Sequence, residues 1–125
     1  MIRGIGVDIC SIERIERILD RHGDIFVQRV FTDGERKRAG HGLVMAERFS
    51  ARFAAKEATI KALGGPAGIA WKEMEVVTDE NGAPSLVLTG KADEVARKIG
   101  VTRNFLSLSH SAGVAVAMVV LEGDE

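Results

Sequence analysis

The chain has 125 residues, of which 46% are hydrophobic and 28% are charged, and its formal net charge is −1. This composition excludes a disordered chain and predicts one soluble globular domain over residues 1–125. No apolar run reaches the ~20 residues of a membrane span, and the near-neutral charge does not predict nucleic-acid binding. The first residues lack the pattern of a secretory signal, and the single cysteine, Cys10, cannot form an internal disulfide. We therefore expect a cytoplasmic protein.

Hydrophobic periodicity and turn residues divide the chain into short strands and helices. The predicted strands are 2–9, 74–78, 85–89, 104–109 and 114–121. The predicted helices are 11–21, 24–30, a short one opened by a capping box of Thr32 and Glu35, 43–63 and 91–99. A hairpin turn at 79–82 joins the second and third strands. Helices dominate the first half and paired strands the second, which favours an α+β fold with an antiparallel sheet packed against helices over a βαβ repeat.

Basic residues are concentrated in the first half of the chain, since residues 1–62 contain 12 of its 17 Lys and Arg residues. Arg14, Arg17 and Arg21 are three and four residues apart, so they lie on one face of the first predicted helix. A solvated helix face accounts for such a cluster. A surface for an acidic partner or a polyphosphate accounts for it equally well.

Two carboxylates stand out as candidate metal ligands. Asp8 lies near the end of an otherwise apolar strand, where a buried carboxylate is costly unless it is paired or bound to a cation. Glu57 lies in an alanine-rich helix, four residues before Lys61. If that helix packs closely on the strand, Asp8 and Glu57 can share one Mg²⁺, which takes few protein carboxylates and completes its shell with water and phosphate oxygens. The alternatives are a helix-capping aspartate and a surface ion pair between Glu57 and Lys61.

Two further motifs carry weaker signals. Ser109 and His110 are adjacent on a predicted strand, where neighbours point to opposite faces, and no G-x-S-x-G motif is present. His110 is therefore either a residue that caps the turn at the strand end or a ligand to phosphate or ribose. The glycines around Pro66 lack the Gly-Lys-Ser/Thr of a phosphate-binding loop and indicate a turn.

Taken in order, the motifs are more specific than any one of them. They are G-I-G-V-D-I, F-T followed by Glu35, R-F-A-A-K-E-A-x-x-K-A-L-G, a tryptophan, E-V-V, N-G-x-P and L-S-L-S-H. From Ile2 to about Leu121 the chain resembles the holo-[acyl-carrier-protein] synthase family, the small type of 4′-phosphopantetheinyl transferase. The resemblance implies transfer of the 4′-phosphopantetheine arm of coenzyme A to a serine of apo acyl carrier protein, in fatty acid biosynthesis. It also implies a homotrimer with active sites at the subunit interfaces.

The resemblance assigns roles to individual residues. Asp8 and Glu57 correspond to the family's Mg²⁺ ligands, and these two residues with Lys61, near the pyrophosphate, form the catalytic group. The residues that correspond to coenzyme A contacts are Arg52, Lys61, Gly65, Asn81, Gly82, Pro84 and His110. Those that correspond to carrier-protein contacts are Arg14, Arg17, Arg21 and Phe53. The family often has a basic residue where this chain has Ala83.

The residues leave some alternatives open. The proton of the acceptor serine has three possible acceptors: Glu57, a water on the metal, or a carboxylate of the carrier protein. A module that binds coenzyme A or a nucleotide without chemistry, and a structural oligomer that docks an acidic protein through its basic helix, are alternative functions.

Overall fold

The computed structural model describes all 125 residues and has α+β architecture. In chain order its elements are β1 (Ile2–Ser11), α1 (Ile12–Val30), α2 (Asp33–Ala39), a 3₁₀ turn (Gly42–Val44), α3 (Met45–Ala62), a second 3₁₀ turn (Trp71–Glu73), β2 (Met74–Thr78), β3 (Pro84–Leu88), α4 (Gly90–Lys98), β4 (Arg103–Ser111) and β5 (Val114–Glu122). Every strand pair is antiparallel, so the predicted fold class is confirmed. None of the helices combines the length and the apolar character needed to cross a membrane.

The strands form two sheets. β1, β5 and β4 make a three-stranded sheet in that order, and β2 and β3 make a separate hairpin. Helix α3 covers one face of the three-stranded sheet, on the side of Gly4 and Gly6. Because successive strand residues alternate between faces, the side chains between these glycines point away from the helix.

The sheet face that points away from α3 is apolar and open to solvent. Its exposed apolar side chains are Ile5, Val7, Ile9, Phe105 and Met118, with exposed fractions between 44% and 65%. The register pairs Val7 with Met118, and it pairs both Ile5 and Phe105 with Val120. The side chains therefore form one continuous patch across all three strands, which we call the outer sheet face. A large contiguous apolar patch on a protein surface marks an interaction site.

Helices α1 and α2 each begin at a side chain that caps the helix with a local hydrogen bond. The Ser11 hydroxyl caps α1 by accepting a hydrogen bond from the Arg14 amide at 3.2 Å. The two helices predicted at 11–21 and 24–30 form one kinked element, because His22 adopts non-helical backbone angles (φ −139°, ψ 28°). The capping box of Thr32 and Glu35 opens α2 as predicted.

Phe53 lies in the aromatic core and not on the surface. Its side chain is 8% exposed, and its ring centroid lies 5.8 Å from that of Phe26 and 5.2 Å from that of Trp71. Little of the Phe53 side chain is therefore free within one chain, because α3 is surrounded by α1, β1 and the segment around Trp71. The contact between Phe53 and a partner protein stays a prediction.

Lys56 belongs to a buried ion pair that joins α2, α3 and β2. Its ammonium lies 2.8 Å from a Glu35 carboxylate oxygen and donates to the carbonyls of Trp71 (3.0 Å) and Met74 (2.8 Å). Burial lowers the pKa of Lys56, and the charge of Glu35 and its hydrogen bond oppose that shift. Lys56 is thus a core residue and contributes no charge to the surface of the protein.

Candidate active site

Helix α3 packs directly on β1 because neither element has a large side chain at the contact. A Cβ atom on Gly6 would lie 1.9 Å from the carbonyl oxygen of Ala58, and one on Gly4 would lie 1.9 Å from that of Ala62. Only glycine on the strand permits this approach. The next residue of β1 on the same face, Asp8, is thereby placed beside the C-terminal half of α3.

Asp8 and Lys61 form an ion pair across this contact. The Lys61 ammonium donates to the Asp8 carboxylate at 2.8 Å and to the Val7 carbonyl at 3.1 Å. The Asp8 side chain is 13% exposed and that of Lys61 is 56% exposed. The hydrogen bond and the charge of Asp8 raise the pKa of Lys61. The Lys61 ammonium is therefore fixed by its ion pair with Asp8 and still accessible to solvent.

Glu57 lies one helical turn before Lys61 and adjoins the same aspartate. Burial raises the pKa of Glu57, and so do the negative charge of Asp8 and a hydrogen bond shared with it. The charges of Arg14 and Lys61 act in the opposite direction. The structure thus brings Asp8 and Glu57, from elements far apart in the sequence, near enough for the charge of Asp8 to raise the pKa of Glu57.

This pair of carboxylates fits a hard divalent cation. Mg²⁺ is usually held by one or two carboxylates and by substrate phosphates, so two acidic ligands suffice. A cation between Asp8 and Glu57 would relieve the repulsion that raises the pKa of Glu57. The chain has no group of three or more His, Cys, Asp or Glu side chains arranged to hold a metal ion.

Cys10 is a further neighbour of this pair. It follows Asp8 on the same face of β1 and is buried. Burial, opposed by Arg14 and reinforced by Glu57 and Asp8, raises the pKa of the thiol to about 11. Cys10 is therefore a neutral thiol at neutral pH, whereas a cysteine metal ligand must be a thiolate.

A second group of predicted residues lines a cleft of about 380 Å³ between α3, the β2–β3 hairpin and the end of β4. The members from the predicted coenzyme A set are Arg52, Gly82, Pro84 and His110. Arg38 and Arg48 also line it, although neither is among the site residues predicted from the sequence. The signal that could have identified Arg48 is its position four residues before Arg52 on the same helix.

Arg52 is the most buried of these cations, with 5% of its surface exposed. It donates to the Arg48 carbonyl at 3.1 Å, and its Nε has no hydrogen-bond partner. Burial lowers the pKa of Arg52; Glu35 opposes this shift, and the neighbouring Arg38 and Arg48 add to it. Arginines this close to one another favour an anion in the cleft, since an anion offsets their mutual repulsion.

Two residues of the predicted coenzyme A set, Gly65 and Asn81, do not line the cleft. Gly65 is in the turn that ends α3, with φ +74° and an amide that donates to the Ile60 carbonyl at 2.9 Å. Asn81 is at the hairpin tip, where its backbone amide donates a hydrogen bond to the Asp79 carboxylate at 2.8 Å. The structure assigns both residues a turn conformation.

Seven of the predicted residues therefore fall into two groups. Asp8 and Glu57, which we call the carboxylate pair, lie beside Lys61, and Arg52, Gly82, Pro84 and His110 line what we call the basic cleft. Arg52 and Glu57 are five residues apart on α3, so their side chains point about 140° apart around the helix. No member of the carboxylate pair, nor Lys61, lines the basic cleft. A larger groove of about 780 Å³ between α1 and α2 holds none of the predicted site residues.

Arg14, Arg17 and Arg21 are exposed on α1, before its kink. Arg14 is near enough to the carboxylate pair for its charge to lower the pKa of Glu57. This basic face of α1 therefore begins beside the carboxylate pair.

Comparison with known proteins shows the family to which this chain belongs. Residues 4–118 match the family model of the 4′-phosphopantetheinyl transferase superfamily. A holo-[acyl-carrier-protein] synthase of Clavibacter michiganensis is 52% identical over 99% of this chain and 98% of its own length. The crystal structure of the holo-[acyl-carrier-protein] synthase of Plasmodium yoelii superposes with a TM-score of 0.86 at 31% identity, covering 100% of this chain and 98% of the other.

A third relative was crystallised with a ligand. The holo-[acyl-carrier-protein] synthase of Bacillus anthracis, in complex with coenzyme A (3′,5′-ADP), has a TM-score of 0.80 at 38% identity, covering 99% of each chain. The family model and these similarities extend over nearly the whole chain and include both groups of predicted residues. The chain therefore belongs to the 4′-phosphopantetheinyl transferase superfamily and, within it, to the holo-[acyl-carrier-protein] synthases.

Proposed function

We propose that this protein transfers the 4′-phosphopantetheine arm of coenzyme A to a serine of apo acyl carrier protein, in a Mg²⁺-dependent reaction of fatty acid biosynthesis. The products are holo acyl carrier protein and adenosine 3′,5′-bisphosphate. The observation that carries the proposal is the meeting of Asp8, Glu57 and Lys61 where α3 packs on β1. Phosphoryl transfer needs positioning and charge stabilisation rather than a protein nucleophile, and these three side chains supply both.

The charges of the chain match the substrate. Mg²⁺, held by Asp8 and Glu57, would neutralise charge on the diphosphate. Lys61 is exposed, so its ammonium is available to the oxygens of the leaving phosphate, where negative charge develops. In the basic cleft, Arg52 has an unpartnered Nε, and a planar guanidinium suits a terminal phosphate. His110 lines the same cleft and offers a second phosphate ligand there.

The basic face of α1 is assigned to the carrier protein. Arg14, Arg17 and Arg21 are exposed, and the nearest of them adjoins the carboxylate pair. An acidic protein that docks there brings its serine toward the carboxylate pair. Charge complementarity of this kind raises the association rate and makes it sensitive to salt.

The assembly we propose is a homotrimer that buries the outer sheet face. Its exposed Ile5, Val7, Ile9, Phe105 and Met118 form a continuous apolar patch. The separation of the carboxylate pair from the basic cleft within one chain also supports an assembly. In a trimer, one coenzyme A molecule would contact the carboxylate pair of one subunit and the basic cleft of its neighbour. Gel filtration with light scattering is expected to give the mass of three chains, and an active monomer would rule this assembly out.

The transfer itself is tested by intact-mass spectrometry. Apo acyl carrier protein is incubated with coenzyme A, Mg²⁺ and this protein, and the carrier is expected to gain the mass of one phosphopantetheine group. The reaction with EDTA in place of Mg²⁺ is expected to leave its mass unchanged. Binding of coenzyme A without a gain in carrier mass would show a binding module instead.

A further inference from the structure

One side chain joins the two sheets of the fold. Strands β3 and β4 lie side by side but belong to different sheets, with no backbone ladder between them. The Asn104 carboxamide on β4 bridges them, since its oxygen accepts from the Leu86 amide at 3.1 Å and its nitrogen donates to the Leu86 carbonyl at 3.0 Å. A carboxamide has the same donor and acceptor as a peptide group, so Asn104 replaces one rung of a backbone ladder.

The strand β2 side of the hairpin is also fixed at the position opposite Leu86. Leu86 pairs with Val76 across the hairpin. The Val76 amide donates to the Glu35 carboxylate at 2.8 Å, and Glu35 is held in turn by the buried Lys56. One cross-strand pair of the hairpin is thus fixed by Glu35 on one flank and by Asn104 on the other.

This fixed pair sets the position of the hairpin tip. Thr78 and Pro84 pair two residues beyond it, which is about 6.6 Å along the strands. Thr78, Gly82 and Pro84 form one wall of the basic cleft, and the end of β4 with His110 forms another. Asn104 does not line the cleft, but it is the polar link between these two walls.

We propose that Asn104 is a positioning residue that sets the spacing between the hairpin tip and His110, and thereby the affinity of the basic cleft for the nucleotide end of coenzyme A. The proposal rests on the proposed function. Without the bridge, no hydrogen bond ties the hairpin to β4, and apolar packing alone sets the distance between the hairpin tip and β4. The carboxylate pair lies on another face of α3, so the chemical step is left intact once coenzyme A is bound.

The test is the variant Asn104→Leu, which keeps the side-chain size and removes both hydrogen bonds. In the Mg²⁺-dependent transfer assay its KM for coenzyme A is expected to rise about tenfold, with kcat and the KM for acyl carrier protein unchanged. Thr102→Val is the matched control, because the hydrogen-bond partner of its exposed hydroxyl is the Glu122 carbonyl, 3.5 Å away on β5, and not a residue of the hairpin. Its kinetic constants are expected to equal those of the wild type.

A second variant and a second measurement keep the result decisive. Asn104→Asp retains the acceptor for the Leu86 amide but sets a carboxylate oxygen against the Leu86 carbonyl, so its KM for coenzyme A is also expected to rise above that of the wild type. It replaces Asn104→Leu if that variant does not fold. Hydrogen–deuterium exchange of residues 79–83 is expected to be faster in the variant, with exchange in α3 unchanged.

An unchanged KM with unchanged exchange, or an equal loss in kcat and in both KM values, would overturn the proposal. If the wild type shows no transfer, the proposed function fails, and the exchange rates with coenzyme A titration still decide the role of Asn104.

Discussion

The Lys61 ammonium lies 2.8 Å from the Asp8 carboxylate although 53 residues separate them in the chain. This contact exists because Gly4 and Gly6 let α3 reach the backbone of β1. The ion pair with Lys61 engages Asp8, one member of the carboxylate pair. The pKa of the other member, Glu57, is raised by burial and by the charge of Asp8. The lysine therefore partly offsets the charge of the carboxylate pair, which is the charge that a divalent cation would neutralise.

Removing either carboxylate is expected to abolish Mg²⁺-dependent transfer. Asp8→Asn and Glu57→Gln keep the side-chain size and remove a charged ligand, so the rate is expected to fall by roughly 10³-fold. Transfer is measured by the mass of the carrier protein at saturating coenzyme A, and circular dichroism is expected to match the wild type. Glu94→Gln, an exposed carboxylate on α4, is the control with unchanged rate. Wild-type activity in either carboxylate variant would refute the shared metal site.

A methyl group on Gly6 is expected to destabilise the protein. The Cβ would lie 1.9 Å from the Ala58 carbonyl oxygen, so strand and helix must separate. Gly6→Ala is expected to lower the free energy of unfolding by about 3 kcal/mol, as overpacking does in a close-packed interior. The measurement is urea denaturation. Gly23→Ala is the control, because a Cβ there meets no atom within 4 Å, and a Gly6→Ala midpoint equal to that of the wild type would contradict the argument.

The stability contributed by Glu73 is expected to depend on pH. Hydrogen bonds from the backbone amides of Lys91 and Ala70 lower the pKa of Glu73 below its usual value. A lowered pKa means that the ionised carboxylate stabilises the folded state above the unfolded pKa, and that this stability is lost as the pH falls through the folded pKa. Glu73→Gln is thus expected to cost about 0.5 kcal/mol at pH 7, the usual effect of an anion at a helix N-terminus.

The measurement for Glu73 is thermal unfolding of both proteins from pH 7 to pH 3. The difference in Tm is expected to shrink as the pH falls and to vanish where Glu73 is protonated in both states. A difference that stays constant over this range would show that the charge of Glu73 has no part in holding the start of α4.

Reversing charge on the basic face of α1 is expected to impair use of the carrier protein more than use of coenzyme A. Arg17→Glu and Arg21→Glu leave Arg14 beside the carboxylate pair and are expected to lower kcat/KM for the carrier about tenfold. The loss is expected to diminish at high salt, because exposed charges are then screened. Arg97→Glu on α4 is the control. Equal losses in the constants for carrier and coenzyme A would show that α1 is not the docking face.

Several features of this protein could be predicted from the sequence because their causes are local. The capping box of Thr32 and Glu35 depends on residues three apart, and the hairpin at residues 74–88 follows from alternating strands around a turn. The strand and helix that hold Asp8 and Glu57 were identified from periodicity and short motifs. The nearness of these two carboxylates was only one of the possibilities, since an isolated motif does not say which elements pack together.

The tertiary structure decided the rest, because burial depends on residues distant in the chain. Lysine is usually a surface residue, but Lys56 lies in the core, where Glu35 and two backbone carbonyls satisfy its charge. Phe53 is covered by Phe26 and Trp71, which no local pattern places there. Asn104 gains its bridging role only because β3 comes to lie beside β4. Sequence alone thus determined the elements and the candidate chemistry, whereas packing determined which side chains are buried, which are paired and which remain free to meet a substrate.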